Sequence, residues 1–261
     1  MKTSTLKFLA YISMFIDHIA VILIHPIYVS SRMIGNVDMM GDLLPPKAAG
    51  LQITYNVGRL IGRFAFPSFA YMLVEGFLHS HDLLKYHLRL LGFALISEIP
   101  FDLAFTDSVF DPSFQNVGFS LFIGLGMLTL LYKFSFHPNG QFIPLKSLII
   151  IGSAMTLAIP CDGEPGGILM IATLYLFQKR NLFWWLGISF SAALLFIQSG
   201  AAWGGMWDVW LIVPLLFFLN PQYLSGHRGH RGHRGHKWYY VIYPLHFLVL
   251  FCLKKPLLPS P

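Results

Sequence analysis

The sequence predicts an all-α protein: a polytopic integral membrane bundle of about nine transmembrane helices with its N-terminus in the cytoplasm. Of the 261 residues, 55% are hydrophobic and only 11% are charged, and the mean hydropathy is +0.61. Soluble proteins average about 45–50% apolar and about 25% charged residues. Apolar runs and basic segments also alternate along the whole chain. Composition and pattern together exclude an ordinary soluble domain, and we expect one domain over residues 1–261.

The first apolar run resembles a signal peptide because Lys2 and Lys7 precede it. No small-residue cleavage site follows, and the run contains Asp17 and His18, so we expect a retained first span. A helix needs about 20 apolar residues to cross the bilayer, or about 17 inside a bundle. On this basis the predicted spans are residues 7–25, 58–79, 86–105, 118–134, 145–160, 166–179, 182–199, 207–220 and 238–254.

Basic residues are concentrated in alternate connections. The intervening connections contain acidic residues without lysine or arginine, including the pairs Asp107 with Asp111 and Asp162 with Glu164. By the positive-inside rule, the basic connections are cytoplasmic. Exceptions to the pattern are Arg32, Lys47, Lys254 and Lys255. The formal net charge of +6 is then explained by this loop bias, and we expect no nucleic acid partner.

Charged side chains interrupt the stretch from residue 59 to residue 102. A lone charge near the bilayer centre costs at least ~2.5–3.5 kcal/mol, so such charges need partners or a water-filled cavity. From the helical rise of about 1.5 Å per residue, we expect His18 and His246 to lie near the middle of the bilayer. The charges in this stretch are Arg59, Arg63, Glu75, Glu98 and Asp102.

Six phrases, in order, resemble the TraX family of bacterial inner-membrane proteins. They are FIDHI at 15–19, RLIGRFAFP at 59–67, VEG at 74–76, SEIPFD at 97–102, QNV at 115–117 and YPLH at 243–246. The family is named for the conjugation protein that acetylates the N-terminus of F-type pilin. The resemblance implies a multi-pass acetyltransferase of the bacterial inner membrane. It would use cytoplasmic acetyl-CoA as co-substrate and a pilin N-terminus or a surface glycan as acceptor.

A histidine is the side chain best suited to remove the acceptor's proton near neutral pH. We expect His18 to be the general base, with His246 as a second base or as a donor to the thioester carbonyl. Adjacent helical residues point about 100° apart, so Asp17 should pair with Arg59 or Arg63 rather than orient His18. Without the resemblance, an interhelical hydrogen bond would be the simpler role of His18.

Other residues leave alternatives open. Arg59 and Arg63 lie four residues apart and would bind the phosphates of coenzyme A or neutralise Glu98 and Asp102. Asn116 would cap the fourth span or line the acceptor site. Tyr243 is the last residue that we expect to bind the substrate or co-substrate.

Near the inner face, Glu75 is expected to pair with Lys85 or Arg89. Lys85, His87 and Arg89 would in turn meet the phosphates of the nucleotide.

Two features are expected to have no chemical role. Residues 226–237 are rich in glycine, histidine and arginine, so we expect a disordered cytoplasmic loop, and the arginines oppose metal binding. Cys161 and Cys252 lie too far apart in sequence to suggest a disulfide or a metal motif. We expect no metal.

Outside enzymes, the alternatives are a membrane transporter, whose buried charges would form a pathway, and a scaffold for pilus or secretion assembly. We find no repeat of the Asp17 or Arg59 phrases in the second half of the chain, which speaks against a transporter built from two related halves. A scaffold would tolerate apolar replacements at the buried polar positions.

Overall fold

The computed structural model describes residues 3–34, 46–135, 143–177, 182–198 and 238–257. Within these ranges the regular structure is helical, which confirms the all-α class. The chain order is α1 Thr3–Ile19, a π-helical turn Ala20–Ile24, α2 His25–Ile34, α3 Pro46–Gly62, α4 Ala65–His79, α5 Leu83–Thr106, α6 Val117–Phe134, α7 Pro144–Leu157, α8 Glu164–Leu176, α9 Leu182–Gln198 and α10 Trp238–Leu257.

Three helical segments in the described part of the chain are long and apolar enough to cross a membrane: Thr5–Ser31, Val117–Phe134 and Tyr240–Leu257. Pro144–Leu157, Glu164–Leu176 and Leu182–Leu194 are shorter apolar helices. This set of helices agrees with a helical membrane protein. The nine-span layout and the cytoplasmic N-terminus remain predictions. The predicted span 207–220 and the predicted loop 226–237 lie outside the described residues.

The predicted second span, 58–79, is wrong as a single helix. The chain forms α3 and α4 instead, and a turn at Arg63 and Phe64 separates them. Pro67 explains the break, because proline donates no backbone hydrogen bond and its ring collides with the carbonyl four residues earlier, here that of Arg63. The Phe64 amide donates to the Ile61 carbonyl at 3.2 Å, which closes the turn.

The first helical segment is longer than predicted and irregular. It continues past residue 25 to Ile34, through the π-helical turn Ala20–Ile24. Single π-helical turns inside α-helices are rare and occur frequently at functional sites. In this chain the turn starts two residues after His18.

Close helix contacts in the N-terminal half depend on glycine. Gly58 and Gly62 lie one turn apart on the face of α3 that packs against the first helical segment. A Cβ at Gly58 would lie 2.6 Å from the Cβ of Ala20, and a Cβ at Gly62 would collide with Asp17. Small residues spaced by four let helix backbones approach closely in membranes. The spacing therefore brings α3 against the residues next to His18.

The apolar core has two parts. The first lies between α4, α6, α8 and α9 and includes the fully buried Leu125, Leu128, Ile168, Ile171 and Ile188. The second lies between α1, the π-helical turn, α5 and α10, around Met14, Ile22, Phe101, Phe247 and Leu250.

Outside these cores, large apolar side chains of α5 point outward, including Leu88, Leu95 and Ile96. Such an exposed apolar perimeter is suited to contact with lipid.

Helices α5 and α10 are tied at one end by a lysine. Lys254 of α10 donates from Nζ to Asp107 Oδ2 at 2.6 Å and to the Ala104 carbonyl at 3.3 Å. Asp107 ends α5 in a left-handed conformation with φ of 56°. The position of Lys254, an exception to the charge pattern, is therefore explained by a local ion pair.

Candidate functional site

A pair of histidines joins the first and last described helices. His18 Nδ1 lies 2.7 Å from His246 Nε2, and both residues are buried, at 6% and 5% exposure. The ring planes differ by 5°, and the ring centres are 4.9 Å apart. Because the nitrogens are much closer than the centres, the rings meet edge to edge, in hydrogen-bonding geometry. The two histidines that the sequence predicted at similar depth are thus in direct contact.

The second nitrogen of His246 fixes the direction of this hydrogen bond. His246 Nδ1 lies 3.3 Å from the Ile242 carbonyl. A carbonyl only accepts, so His246 Nδ1 carries a hydrogen, and in the neutral ring its Nε2 is an acceptor. His18 Nδ1 therefore donates to His246. In a neutral pair His18 Nε2 keeps a lone pair, which is the form required of a base.

Asp17 forms an ion pair with Arg59, as the sequence predicted. Arg59 Nη1 donates to Asp17 Oδ2 at 2.5 Å, and both side chains are largely buried. Gly62, one turn beyond Arg59, leaves the space that the Asp17 carboxylate occupies. The charge of Arg59 also acts on His18. The ion pair therefore lies beside the histidine pair.

Arg63 lies in the turn after α3 rather than on the face of a continuing helix. Its charge acts on Asp17, Asp162 and Glu164. Of the alternatives left open for Arg59, neutralisation of Glu98 or Asp102 is not observed among the described residues, because Arg59 pairs with Asp17. We refer to Arg59, Arg63, Asp17, Asp162 and Glu164 together as the charged cluster, within which Arg59 and Asp17 form an ion pair.

Asn116 joins α5 to the start of α6. Its Oδ1 accepts from the Gly118 amide at 2.8 Å, which confirms its predicted role as the cap of the fourth predicted span. Its Nδ2 donates to the Ala94 carbonyl at 2.9 Å and also contacts Glu98 Oε2. The Asn116 amide donates to the same Glu98 oxygen at 3.1 Å. Glu98 is therefore held by the backbone and side-chain amides of Asn116.

Asp102 lies one turn after Glu98 and is fully buried. Its Oδ2 accepts from the Asp111 amide at 2.9 Å, which ties α5 to the following loop. Its Oδ1 has no hydrogen-bond partner among the described residues.

Tyr243 connects these groups. It is buried on α10, and its ring centre lies 5.4 Å from that of His246. Its hydroxyl is buried and has no hydrogen-bond partner among the described residues. Direct contacts therefore join the predicted site residues in groups: His18 with His246, Tyr243 with His246, Arg59 with Asp17, and Asn116 with Glu98.

The expectation for Glu75 is wrong. Glu75 Oε2 lies 3.5 Å from His79 Nδ1, one turn along α4, and Tyr71 donates a hydrogen bond to its carboxylate. Lys85 pairs with Asp82 at 2.8 Å, and the guanidinium of Arg89 lies over the Tyr86 ring. Glu75, Lys85 and Arg89 therefore find their partners within their own helix or at a residue next to it. Their predicted contact with nucleotide phosphates remains untested.

Asp162 and Glu164 were not predicted as site residues. The turn that carries them is held by two backbone hydrogen bonds: Gln115 donates to the Pro160 carbonyl at 2.7 Å, and Asp162 donates to the Gln115 carbonyl at 2.9 Å. The available signal was the acidic, glycine-containing stretch DGEPGG at 162–167, which precedes an apolar helix without any basic residue. No group of three metal-binding side chains occurs in the part of the chain that the structure describes.

Comparisons with known proteins identify the family. No curated protein and no solved structure matches the chain. The family model described as TraX protein matches residues 2–254, nearly the whole chain. The match confirms the resemblance seen in the six sequence phrases. The chain belongs to the TraX family.

Proposed function

We propose that this protein is a membrane-embedded acetyltransferase. It would move an acetyl group from acetyl-CoA to an amine or hydroxyl of an acceptor, either a pilin N-terminus or a surface glycan, at or across the bacterial inner membrane. The observation that carries the proposal is the buried His18–His246 pair, in which the hydrogen-bond pattern leaves His18 Nε2 with a lone pair. Family membership supports the same activity, because the family is named for a pilin-acetylating protein.

In this mechanism His18 is the general base. Its Nε2 takes the proton of the acceptor N–H or O–H as the acceptor atom bonds to the acetyl carbon. His246 accepts the hydrogen bond from His18 Nδ1 and so keeps the ring in the reactive tautomer. Acetyl-CoA supplies the activated thioester, whose carbon–sulfur bond breaks. His18 then returns the proton to the leaving sulfur, so the proton count balances.

The charged cluster would bind the anionic part of the co-substrate. Guanidinium groups bind phosphate through two parallel hydrogen bonds, and Arg59 and Arg63 are suited to this role. Because Arg59 already pairs with Asp17, a bound phosphate would share the Arg59 guanidinium with that carboxylate. Tyr243, which lies beside His246, and the contacting pair of Asn116 and Glu98 would border the acceptor.

Calorimetric titration of acetyl-CoA into the purified protein in detergent tests the proposal, together with assay of thiol release. We expect saturable binding and slow thioester hydrolysis. Hydrolysis should be lost in His18→Ala and retained in His79→Ala, a matched control at an exposed histidine.

The acceptor is then sought by adding a pilin N-terminal peptide or a glycan and measuring acetyl incorporation. A folded protein that neither binds nor hydrolyses acetyl-CoA contradicts the proposal. In that case proton or solute flux in vesicles would test the transporter alternative, since buried charges also serve such pathways.

A further inference from the structure

Four buried side-chain atoms have no hydrogen-bond partner among the described residues. They are Ser97 Oγ, Asp102 Oδ1, Ser135 Oγ and Tyr243 Oη. A polar group that is buried without a partner costs free energy, so each one in a folded protein requires an explanation, such as a catalytic role. Two of the four, the hydroxyls of Ser97 and Tyr243, belong to α5 and α10, which pack against each other.

The Ser97 hydroxyl differs from those of three other buried serines in helices. Serine hydroxyls inside helices can bond to the backbone carbonyl one turn earlier. Those of Ser68, Ser147 and Ser191 do so, with oxygen–oxygen distances of 2.8, 3.1 and 2.7 Å. Ser97 is fully buried on α5, yet its hydroxyl makes no such bond. Its hydrogen-bond donor is therefore available to a ligand.

Ring contacts place Ser97 and Tyr243 at the same level of the interface between α5 and α10. On α5, Phe93, Ser97 and Phe101 are spaced four residues apart and so share one face. The Phe93 ring centre lies 4.9 Å from that of Tyr243. The Phe101 ring centre lies 5.4 Å from that of Phe247, one turn after Tyr243. Ser97, one turn from each phenylalanine, therefore faces the turn of α10 that begins at Tyr243.

The same turn of α10 carries the histidine that accepts the hydrogen bond of His18. His246 follows Tyr243 by three residues, so both side chains lie on one side of α10, and their ring centres are 5.4 Å apart. The Tyr243 ring also contacts Phe93 and Phe247, whose ring centres lie 4.9 and 5.2 Å away. The phenol ring is therefore fixed beside the histidine pair, and its hydroxyl has no partner among the described residues.

We propose that the hydroxyls of Tyr243 and Ser97 bind the carbonyl oxygen of the acetyl group and are two further catalytic groups of the acetyl transfer. When the acceptor atom bonds to the acetyl carbon, an electron pair of the carbonyl moves onto this oxygen, which becomes negatively charged. Both hydroxyls donate hydrogen bonds to the oxygen and give up no proton. The carbonyl re-forms as the carbon–sulfur bond breaks, and the sulfur takes the proton that His18 removed from the acceptor.

Hydrogen-bond donors that are fixed in advance where negative charge develops are usually the largest single contribution to catalysis. This role explains why two donors stay buried without protein partners beside the proposed base. The inference rests on the proposed function, because it takes the acetyl group as the ligand.

Stability measurements test whether the two hydroxyls are free of protein partners. Tyr243→Phe and Ser97→Ala each remove only an oxygen atom, so chemical denaturation in detergent should give midpoints equal to or above that of the natural protein. Ser13→Ala is the matched control, because the Ser13 hydroxyl donates to the Ile61 carbonyl of another helix, and its midpoint should fall. A lowered midpoint in Tyr243→Phe or Ser97→Ala, or failure of either to fold, would overturn the inference.

The kinetics of acetyl transfer test the catalytic role. Tyr243→Phe and Ser97→Ala should each lower kcat while KM for acetyl-CoA changes little, because the donors act mainly on the charged oxygen of the transition state. Loss of one such donor costs about 10²–10³-fold in kcat. Tyr175→Phe, which changes a buried tyrosine of the first apolar core, should keep the natural rate. A natural kcat in Tyr243→Phe or Ser97→Ala would overturn the role of that hydroxyl.

The infrared spectrum of bound acetyl-CoA with an isotope-labelled carbonyl gives a readout that a structural role would not change. A hydrogen bond lowers the stretching frequency of a carbonyl, so the frequency should be lower in the natural protein than in Tyr243→Phe. Equal frequencies would overturn the inference. If the natural protein neither binds acetyl-CoA nor transfers its acetyl group, the proposed function fails and this inference with it. Normal transfer by the natural protein and by both variants would overturn this inference alone.

Discussion

Gly62 of α3 lies directly against the carboxylate of Asp17, in a space that no other amino acid leaves open. The same carboxylate accepts the hydrogen bond of Arg59, three residues before Gly62. One short stretch of α3 therefore supplies both the cation and the room for its partner. This relationship gives a direct test of the charged cluster.

Replacing Gly62 with alanine should destabilise the protein by about 1–3 kcal/mol, as overpacking of a close contact does. The added methyl group should also displace Asp17 from Arg59. The measurement is Tm in detergent with and without acetyl-CoA. Gly50→Ala in the same helix is the control, because nothing lies within 4 Å of that position. The control should be neutral or stabilising by up to about 1 kcal/mol. Equal behaviour of the two variants would contradict the close contact.

The histidine pair predicts different effects for two substitutions of one residue. His246→Ala removes the acceptor for His18 Nδ1 and should lower the acetyl-transfer rate, though less than loss of the base, which is worth about 10²–10⁴-fold. His246→Gln offers a carbonyl oxygen as acceptor and should recover part of the activity. The rates are compared with that of His18→Ala by release of free thiol. No recovery in His246→Gln would indicate that His246 acts on the substrate itself.

Substitutions of Asn116 separate its two roles. Asn116→Ala should destabilise the fold by about 0.5–2 kcal/mol from loss of the cap alone, with a further cost at Glu98. Asn116→Asp keeps an acceptor for the Gly118 amide but loses the side-chain donor to Ala94 and Glu98 and adds a negative charge. We expect Asn116→Asp to be the less stable of the two at pH 8 and to recover at pH 5. Chemical denaturation at the two pH values measures the difference, and identical pH profiles would contradict the contact with Glu98.

The start of α5 predicts an effect of pH on stability. The side chain of Lys85 is the largest cause that lowers the pKa of the Asp82 carboxyl, followed by the Lys85 amide that Asp82 caps. A lowered pKa means that the stabilisation is present above the ordinary value of 3.8 and is lost as the pH falls through the lowered value. Asp82→Ala should therefore lower Tm at pH 7 and have progressively less effect below about pH 4. An unchanged deficit in strong acid would show that the ionised carboxylate is not responsible.

Much of the site was predictable from residue chemistry and depth. Buried opposite charges require each other, so Asp17 and Arg59 were expected to pair. Helical rise placed His18 and His246 at similar depth, although hydropathy alone does not show which helices are neighbours. Asn116 was predicted as a cap from its position just before an apolar run. The pairing of Asp17 with Arg59 and the cap by Asn116 are confirmed, and the contact between His18 and His246 agrees with their predicted similar depth.

Other features were missed because they depend on contacts between distant segments. The break between α3 and α4 lies inside an apolar run that is long enough to be predicted as one span. Pro67 was the sequence feature that indicated the break. Glu75 was assigned to a partner beyond the loop, although His79 lies one turn away on the same helix, where pairs form most readily. Asp162 lies in a turn that a backbone bridge between Gln115 and Cys161 holds in place, and no sequence pattern reveals such a bridge.

The histidine pair also has a consequence for biosynthesis. His18 is made early in translation, and His246 is made 228 residues later. A ribosome must therefore release almost the entire chain into the membrane before the second ring can meet the first. A nascent protein stalled before α10 would contain the charged cluster but only half of the proposed proton-handling pair. The proposed activity should thus appear only after α10 has been made and inserted.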